Sequence, residues 1–392
     1  MTHGQSPSSR YPQLEGALRN AKIMAPVVAE RQRRNAVTKT TISRNASGRV
    51  RANGGRKPLI VDLALQGGGA HGAFTWGVLD RILEEEWLTI DAISGTSAGA
   101  MNAAVVASGY AKGGREGARQ ALAHFWSTVA DSARFSPFKR SPMDVLLGRW
   151  TLDNSPLFVA MDMMSRVVSP YSLSLGGANP LEDILAQAID FEAVARGPIK
   201  LFVTATNVRT GRGRVFRNHE ITPKALLASA CLPTLFQAIE IDGDSYWDGG
   251  YSGNPTMTPL IRESDALDTI LVQINPVERT GTPNTARDIL NRLNEISFNA
   301  VLLKELRMMA MLRRRANPET GEGARWASMR IHRITSQTMA ELGYSSKLNA
   351  EWDFLTMLHG EGRKSAEAFH HRHGQEIGKR STLDLDELAE GV

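Results

Sequence analysis

The chain of 392 residues has a single cysteine, Cys231, which excludes an intrachain disulfide and any metal site built from several thiolates. Such usage suits a reducing compartment. Cys231 lies in Ala-Ser-Ala-Cys-Leu-Pro beside an apolar run and reads as a small packed hydrophobe rather than a reactive thiol. Nowhere do about 20 apolar residues run together, so no membrane-spanning helix is expected. No apolar core of a secretory signal is present either, and the expectation is a cytoplasmic protein, peripheral to a membrane at most. Internal repeats are missing, which removes solenoids and propellers. His370, His371 and His373 crowd together, but without a cysteine or carboxylate constellation around them no metal site is expected.

Acidic residues are nearly absent from positions 1–57, where twelve Lys or Arg face only Glu15 and Glu30, a formal +10. The whole chain carries +5, so residues 58–392 carry −5 by difference. With few large apolar side chains and the ending Ala52-Asn53-Gly54-Gly55-Arg56, this arm is expected to be largely disordered. Its charge suits peripheral contact with an anionic membrane surface. A solubilising tail or an organelle-targeting leader fits the same composition, and specific nucleic-acid binding is not expected.

The most informative stretch runs from Leu59 to Met101. Leu59 to Leu65 is an apolar run of strand length that stops abruptly at Gly67, Gly68 and Gly69. From Gly72 to Trp87, apolar residues at Ala73, Trp76, Leu79 and Leu83 recur at helical spacing, with Asp80, Arg81 and Glu84 on the other side, which predicts a one-sided helix. Ile90 to Ser94 is a second strand, broken at Gly95-Thr96-Ser97-Ala98-Gly99 before the small residues Ala100 to Ser108. Two strands joined by a helix are parallel and end on one edge of the sheet, so both glycine turns face one site. The second turn has the form Gly-x-Ser-x-Gly, which places a serine hydroxyl at a sharp strand-to-helix bend. The first offers consecutive amides without Cβ atoms, to which an oxygen can come close.

A nucleophilic serine needs a base. Ala238 to Ile241 and Ser245 to Trp247 flank Asp242-Gly243-Asp244, a hairpin signal that delivers Asp248 on a ribbon, followed by Gly249 and Gly250. On residue type alone Asp248 is equally a turn cap.

Taken in order, Gln-Gly-Gly-Gly-Ala-His-Gly ending at Gly72, Gly-Thr-Ser-Ala-Gly ending at Gly99, and Asp-Gly-Gly ending at Gly250 resemble the motifs of the patatin-like phospholipase family over about Leu59 to Pro276. The resemblance implies an α/β protein, a three-layer α/β/α sandwich with a mostly parallel central sheet. It implies a lipid acyl hydrolase with a serine–aspartate dyad and no histidine: Ser97 as nucleophile, Asp248 as base, and an oxyanion hole from the backbone of Gly67, Gly68 and Gly69 with Ala98. Gly72, Gly95, Gly99, Gly249 and Gly250 support these motifs. No cofactor is implied, and the substrate is a lipid or another acyl ester. One departure stands out. Family members commonly carry Arg or Lys where this chain has His71, which supplies positive charge only when protonated.

Two rival readings share these residues. Gly67-x-Gly69-x-x-Gly72 satisfies a dinucleotide fingerprint, but the acid expected after the second strand is missing, and Asp91 lies at its wrong end. An α/β-hydrolase would pair Ser97 with a histidine such as His332 or His359, which leaves Asp-Gly-Gly unexplained.

Elsewhere, Ala118 to Val129 and Leu181 to Ile189 read as helices, and Ile199 to Val208 and Thr269 to Asn275 as strands. Residues 132–180 are rich in Phe, Leu and Met among prolines and glycines, consistent with a cap over an acyl pocket or with an ordinary helical insertion. Ala286 to Arg315 predicts a long helix packed on the sheet through Ile289, Leu293, Ile296, Leu303 and Leu306. The expected division is a basic arm (1–57), a catalytic domain (58–280) and a helical extension packed on it (281–392).

Overall fold

The computed structural model describes residues 57–136, 138–172, 180–315 and 321–390. The basic arm up to Arg56 therefore lies outside the described residues, as do 173–179 of the expected cap.

The strands are β1 (Leu59–Leu65), β2 (Leu88–Thr96), β3 (Lys200–Asn207), β4 (Gly213–Arg217), β5 (Ile239–Ile241), β6 (Asp244–Asp248), β7 (Asp268–Val272) and β8 (Arg330–Ile334). They form one sheet in the order β5-β6-β3-β2-β1-β7-β8, with β4 also paired to β3. The central strands β3, β2, β1, β7 and β8 are parallel, while β4 and β6 run antiparallel to β3. The helices used below are α1 (Gly72–Ile82), α2 (Ala98–Ser132), α3 (Pro223–Ser229), α4 (Thr258–Glu263), α5 (Ala286–Arg315) and α6 (Trp352–His373).

Alternation along β1 shows how the sheet is covered. Leu63 and Leu65 join Phe74, Leu79, Val105 and Phe354 in one core. Ala64, between them, joins Leu260, Leu302, Leu306 and Met309 in another. Side chains of period two thus fill both faces, one under α1, α2, α3 and α6 and one under α4 and α5, which is the three-layer sandwich. At about 1.5–3 kcal/mol for each large buried side chain, these two cores dominate the stabilisation.

Three expectations need correction. The helix α1 is not one-sided: Phe74, Trp76, Val78, Leu79 and Arg81 are all buried, because α6 covers its outer face. Glycines make that close crossing feasible. A Cβ on Gly77 would stand 1.9 Å from the His359 carbonyl oxygen, and one on Gly362 2.1 Å from that of Phe74. The charges on the outer side of α1 are paired with both neighbouring helices, Asp80 accepting from Arg119 Nε of α2 at 2.7 Å and from His359 Nε2 of α6 at 3.2 Å.

The C-terminal stretch 281–392 is not merely helical, since β8 extends the sheet beyond β7. The described residues, from Lys57 onward, form one compact unit. Finally, α5 has the expected bounds, but only its second half packs on the sheet, through Leu302, Leu306, Met309 and Ala310. Ile289, Leu293 and Ile296 are exposed, because the apolar stripe continues past the region that α4 and β7 cover.

The expected cap region contains two short helices, Pro142–Leu146 and Pro156–Ser165. It is tied to α6 by Trp150 stacking on Phe354 at 5.2 Å and by Arg140 paired with Glu351 at 2.7 Å.

Candidate active site

The meeting of Ser97 and Asp248 follows from the register of β3. Along one edge of β3, β4 pairs with Phe202 to Thr206; along the other, β2 pairs with Lys200 to Thr204. β6 pairs with Ala205 to Asn207, and β4 already occupies the first edge of Ala205 and Thr206, so β6 lies in line with β2 and runs towards it. Thr96 ends opposite Thr204 and Asp248 opposite Ala205, so the two strands arrive head to head. Asp242 (φ 54°) and Gly243 (φ 81°) form the tight turn that returns β6 along β5.

Ser97 sits at φ 54°, ψ −125°, a strained backbone at the junction of β2 and α2 that costs of order 1–3 kcal/mol. Several contacts hold it there. Its amide donates to Ser229 Oγ at 2.8 Å, and that hydroxyl donates to the Thr204 carbonyl at 2.6 Å. Thr96 Oγ1 donates to the Gly253 carbonyl at 2.6 Å. Gly95, Gly99 and Gly72 are crossed too closely for a side chain, by the backbones of Gly99 and Leu65 and by the Ala98 methyl respectively.

Asp248 is 1 % exposed and lies beside the Ser97 hydroxyl, which helps to lower its pKa. Its Oδ1 accepts from the Gly250 amide at 2.7 Å, and its amide donates to the Cys231 carbonyl at 2.7 Å. Burial pushes its pKa up to about 7, against the opposing pull of the Gly250 amide, the Ser97 hydroxyl and the Lys347 ammonium. A Cβ on Gly249 would lie 2.0 Å from the Thr204 carbonyl oxygen, and one on Gly250 2.2 Å from the Phe298 ring. The Asp-Gly-Gly signal thus records two close approaches beside the carboxylate.

The glycine loop abuts the serine, since a Cβ on Gly67 would fall 2.6 Å from Ser97 Cβ. Here one expectation changes. The Gly67 amide is already committed to Asn254 Oδ1 at 2.7 Å, and its carbonyl accepts from Asn275 Nδ2 at 2.7 Å. The amides of Gly68, Gly69 and Ala98 make no hydrogen bond to the described residues.

His71 does not provide a positive charge. It is 2 % exposed, its Nε2 lies 2.8 Å from Ser346 Oγ, and that hydroxyl donates to the Gly343 carbonyl at 2.7 Å. Nε2 therefore carries the proton. Burial, reinforced by Lys347 and Arg279, holds its pKa well below the ordinary 6.5, so the ring is neutral.

The residues of the rival readings lie elsewhere. His332 pairs at 3.0 Å with Asp268, at the start of β7 and the opposite end of the sheet from Ser97. His359 packs on Trp76 with ring centroids 4.0 Å apart and pairs with Asp80. Asp91 accepts from Lys200 and Ser264 near the start of β2. The turn Tyr344–Leu348 presses on the would-be dinucleotide loop, with the Lys347 carbonyl oxygen 2.3 Å from where a Gly69 Cβ would be.

A mostly parallel sheet whose two glycine turns meet an aspartate from an antiparallel ribbon defines an α/β protein of the patatin kind. The family model described as Patatin-like phospholipase matches residues 63–261, half of the chain, and the chain belongs to that family. No curated protein matches it. Among solved structures it is similar to VipD from Legionella pneumophila, at 14% identity and TM-score 0.31 over 85% of this chain and 79% of that one. It is also similar to ExoU in its complex with SpcU from Pseudomonas aeruginosa, at 17% identity and TM-score 0.27 over 85% and 77%. A structure of the type III effector protein ExoU matches at 16% identity and TM-score 0.23, the match spanning 53% of its length. The family assignment rests on the matched residues and not on these likenesses. Among the described residues no helix is long and apolar enough to cross a membrane.

Proposed function

We propose that this member of the family is a lipid acyl hydrolase working through Ser97 and Asp248. Ser97 Oγ attacks the ester carbonyl carbon while its proton passes to the Asp248 carboxylate. The oxyanion is held by the free amides of Gly68, Gly69 and Ala98, not by that of Gly67. Asp248 then returns the proton to the departing alcohol as the tetrahedral intermediate collapses to an acyl-enzyme. Water, deprotonated by the same carboxylate, releases the fatty acid and restores Ser97.

The observation that carries this reading is the head-to-head arrival of β2 and β6, which sets a strained, bend-borne serine against a carboxylate that burial has brought to about pKa 7. An ordinary aspartate near 3.9 is a weak base for a hydroxyl, whereas one poised near neutrality suits general-base work. The reading is tested by presenting phospholipids, acylglycerols and short esters to the wild type and to Ser97→Ala. Fatty acid release by the first and not the second supports it; equal release by both refutes it.

A further inference from the structure

The site contains a cation that no motif announced. Lys347, on the turn Tyr344–Leu348, reaches the glycine loop from the C-terminal part of the chain. Its Nζ donates to Asn275 Oδ1 at 2.7 Å, and Asn275 Nδ2 donates to the Gly67 carbonyl at 2.7 Å. Its own carbonyl packs on Gly69, and its ammonium stands 5.3 Å over the Tyr344 ring. No carboxylate of the described residues lies within ion-pair distance of it.

The charged and titratable groups around Lys347 leave its charge largely uncompensated. Glu295 is engaged by Arg279 at 2.7 Å and Arg292 at 3.1 Å. Arg279 repels the ammonium, Tyr344 supplies only its ring face, and His71 is neutral. Asp248 is the remaining acid whose charge Lys347 feels.

We propose that Lys347 is the positioning residue of this site: through Asn275 it fixes the glycine loop and sets a positive charge beside it. The proposal rests on the Ser97–Asp248 reading above. It explains how a chain with neutral His71 still places positive charge beside the loop. That charge comes from a residue remote in sequence, delivered by a turn that also bonds His71 through Ser346. Burial brings the Lys347 pKa down to about 8, with Glu295 and Asp248 opposing and Arg279 assisting. The field of Lys347 opposes the burial that raises Asp248, so the acid limb set by Asp248 near pH 7 lies lower than it would without Lys347.

The test is the pH profile of kcat/KM on p-nitrophenyl butyrate for the wild type, Lys347→Met and Lys347→Arg, with Ser97→Ala as control. Lys347→Met is expected to move the acid limb to higher pH and to lower turnover at neutral pH. Lys347→Arg, which keeps the charge, should restore the acid limb. If Lys347→Met fails to fold, Lys347→Gln and Lys347→Arg decide: an identical acid limb in both overturns the proposal. Unmoved profiles in both variants, with Ser97-dependent turnover intact, overturn the role of Lys347 alone. Absence of Ser97-dependent turnover in the wild type would overturn the dyad and this role with it.

Discussion

Asp248→Asn should inactivate the protein and stabilise it at the same time. In the unfolded chain the carboxyl titrates near 3.8, and in the folded protein near 7. Between those values the folded state keeps a proton that the unfolded state has released, so stability falls as pH rises through the window and levels off above it. The interval corresponds to about 4 kcal/mol at pH 8, an order-of-magnitude ceiling on what the buried charge costs. Asparagine removes that cost. Its Oδ1 keeps the Gly250 amide, and the neighbouring Ser97 hydroxyl can accept from its Nδ2. The variant should therefore melt several degrees above the wild type at pH 8 and near it at pH 4.5, while losing about 10² to 10⁴ in ester hydrolysis. Melting followed by tryptophan fluorescence at the two pH values, beside a turnover assay, measures both effects. A variant less stable than the wild type at pH 8 and equal to it at pH 4.5 would refute the buried-carboxylate reasoning.

Gly249→Ala should lose activity about as severely, because its Cβ would meet the Thr204 carbonyl oxygen at 2.0 Å and push Asp248 off line. A Gly323→Ala control, with nothing within 4 Å of the new methyl, should be unchanged, and equal turnover of both variants would contradict the geometry. Deleting residues 1–56 should weaken binding to anionic vesicles at low salt, since each basic residue near such a surface contributes up to about 1 kcal/mol. It should leave hydrolysis of a soluble ester intact, and equal vesicle binding by both chains would assign the arm another role.

Much of the core was legible because its signals are local. The strand–glycine–helix repeat from Leu59 to Met101 and the Asp242-Gly243 hairpin each encode their geometry within a few residues. The C-terminal part was less so. Strand β8 reads Arg-Ile-His-Arg-Ile, too short and charged to separate from a loop. Helix α6 did carry a signal, with Phe354, Leu355, Leu358, Gly362, Ala366 and Phe369 at helical spacing. The burial of α1 all round depends on that distant helix, so the pattern of α1 taken alone reads as one-sided.

Around the site, the serine and aspartate were visible in glycine motifs, but their supports were not. Ser229, Asn254 and Asn275 are single polar residues whose partners stand 132 to 208 positions away. Commitment of the Gly67 amide to Asn254 is a tertiary fact that no local pattern carries. Lys347 likewise has no motif, and only the neutral burial of His71 makes its charge conspicuous.

The central claim is that Ser97 is an activated nucleophile paired with Asp248. The most direct measurement is labelling with a fluorophosphonate probe, followed by peptide mass spectrometry. The account predicts one modified residue, Ser97, with labelling slowed by Asp248→Asn and unaffected by His332→Ala. Modification of another residue, or undiminished labelling of Ser97 in Asp248→Asn, would contradict it.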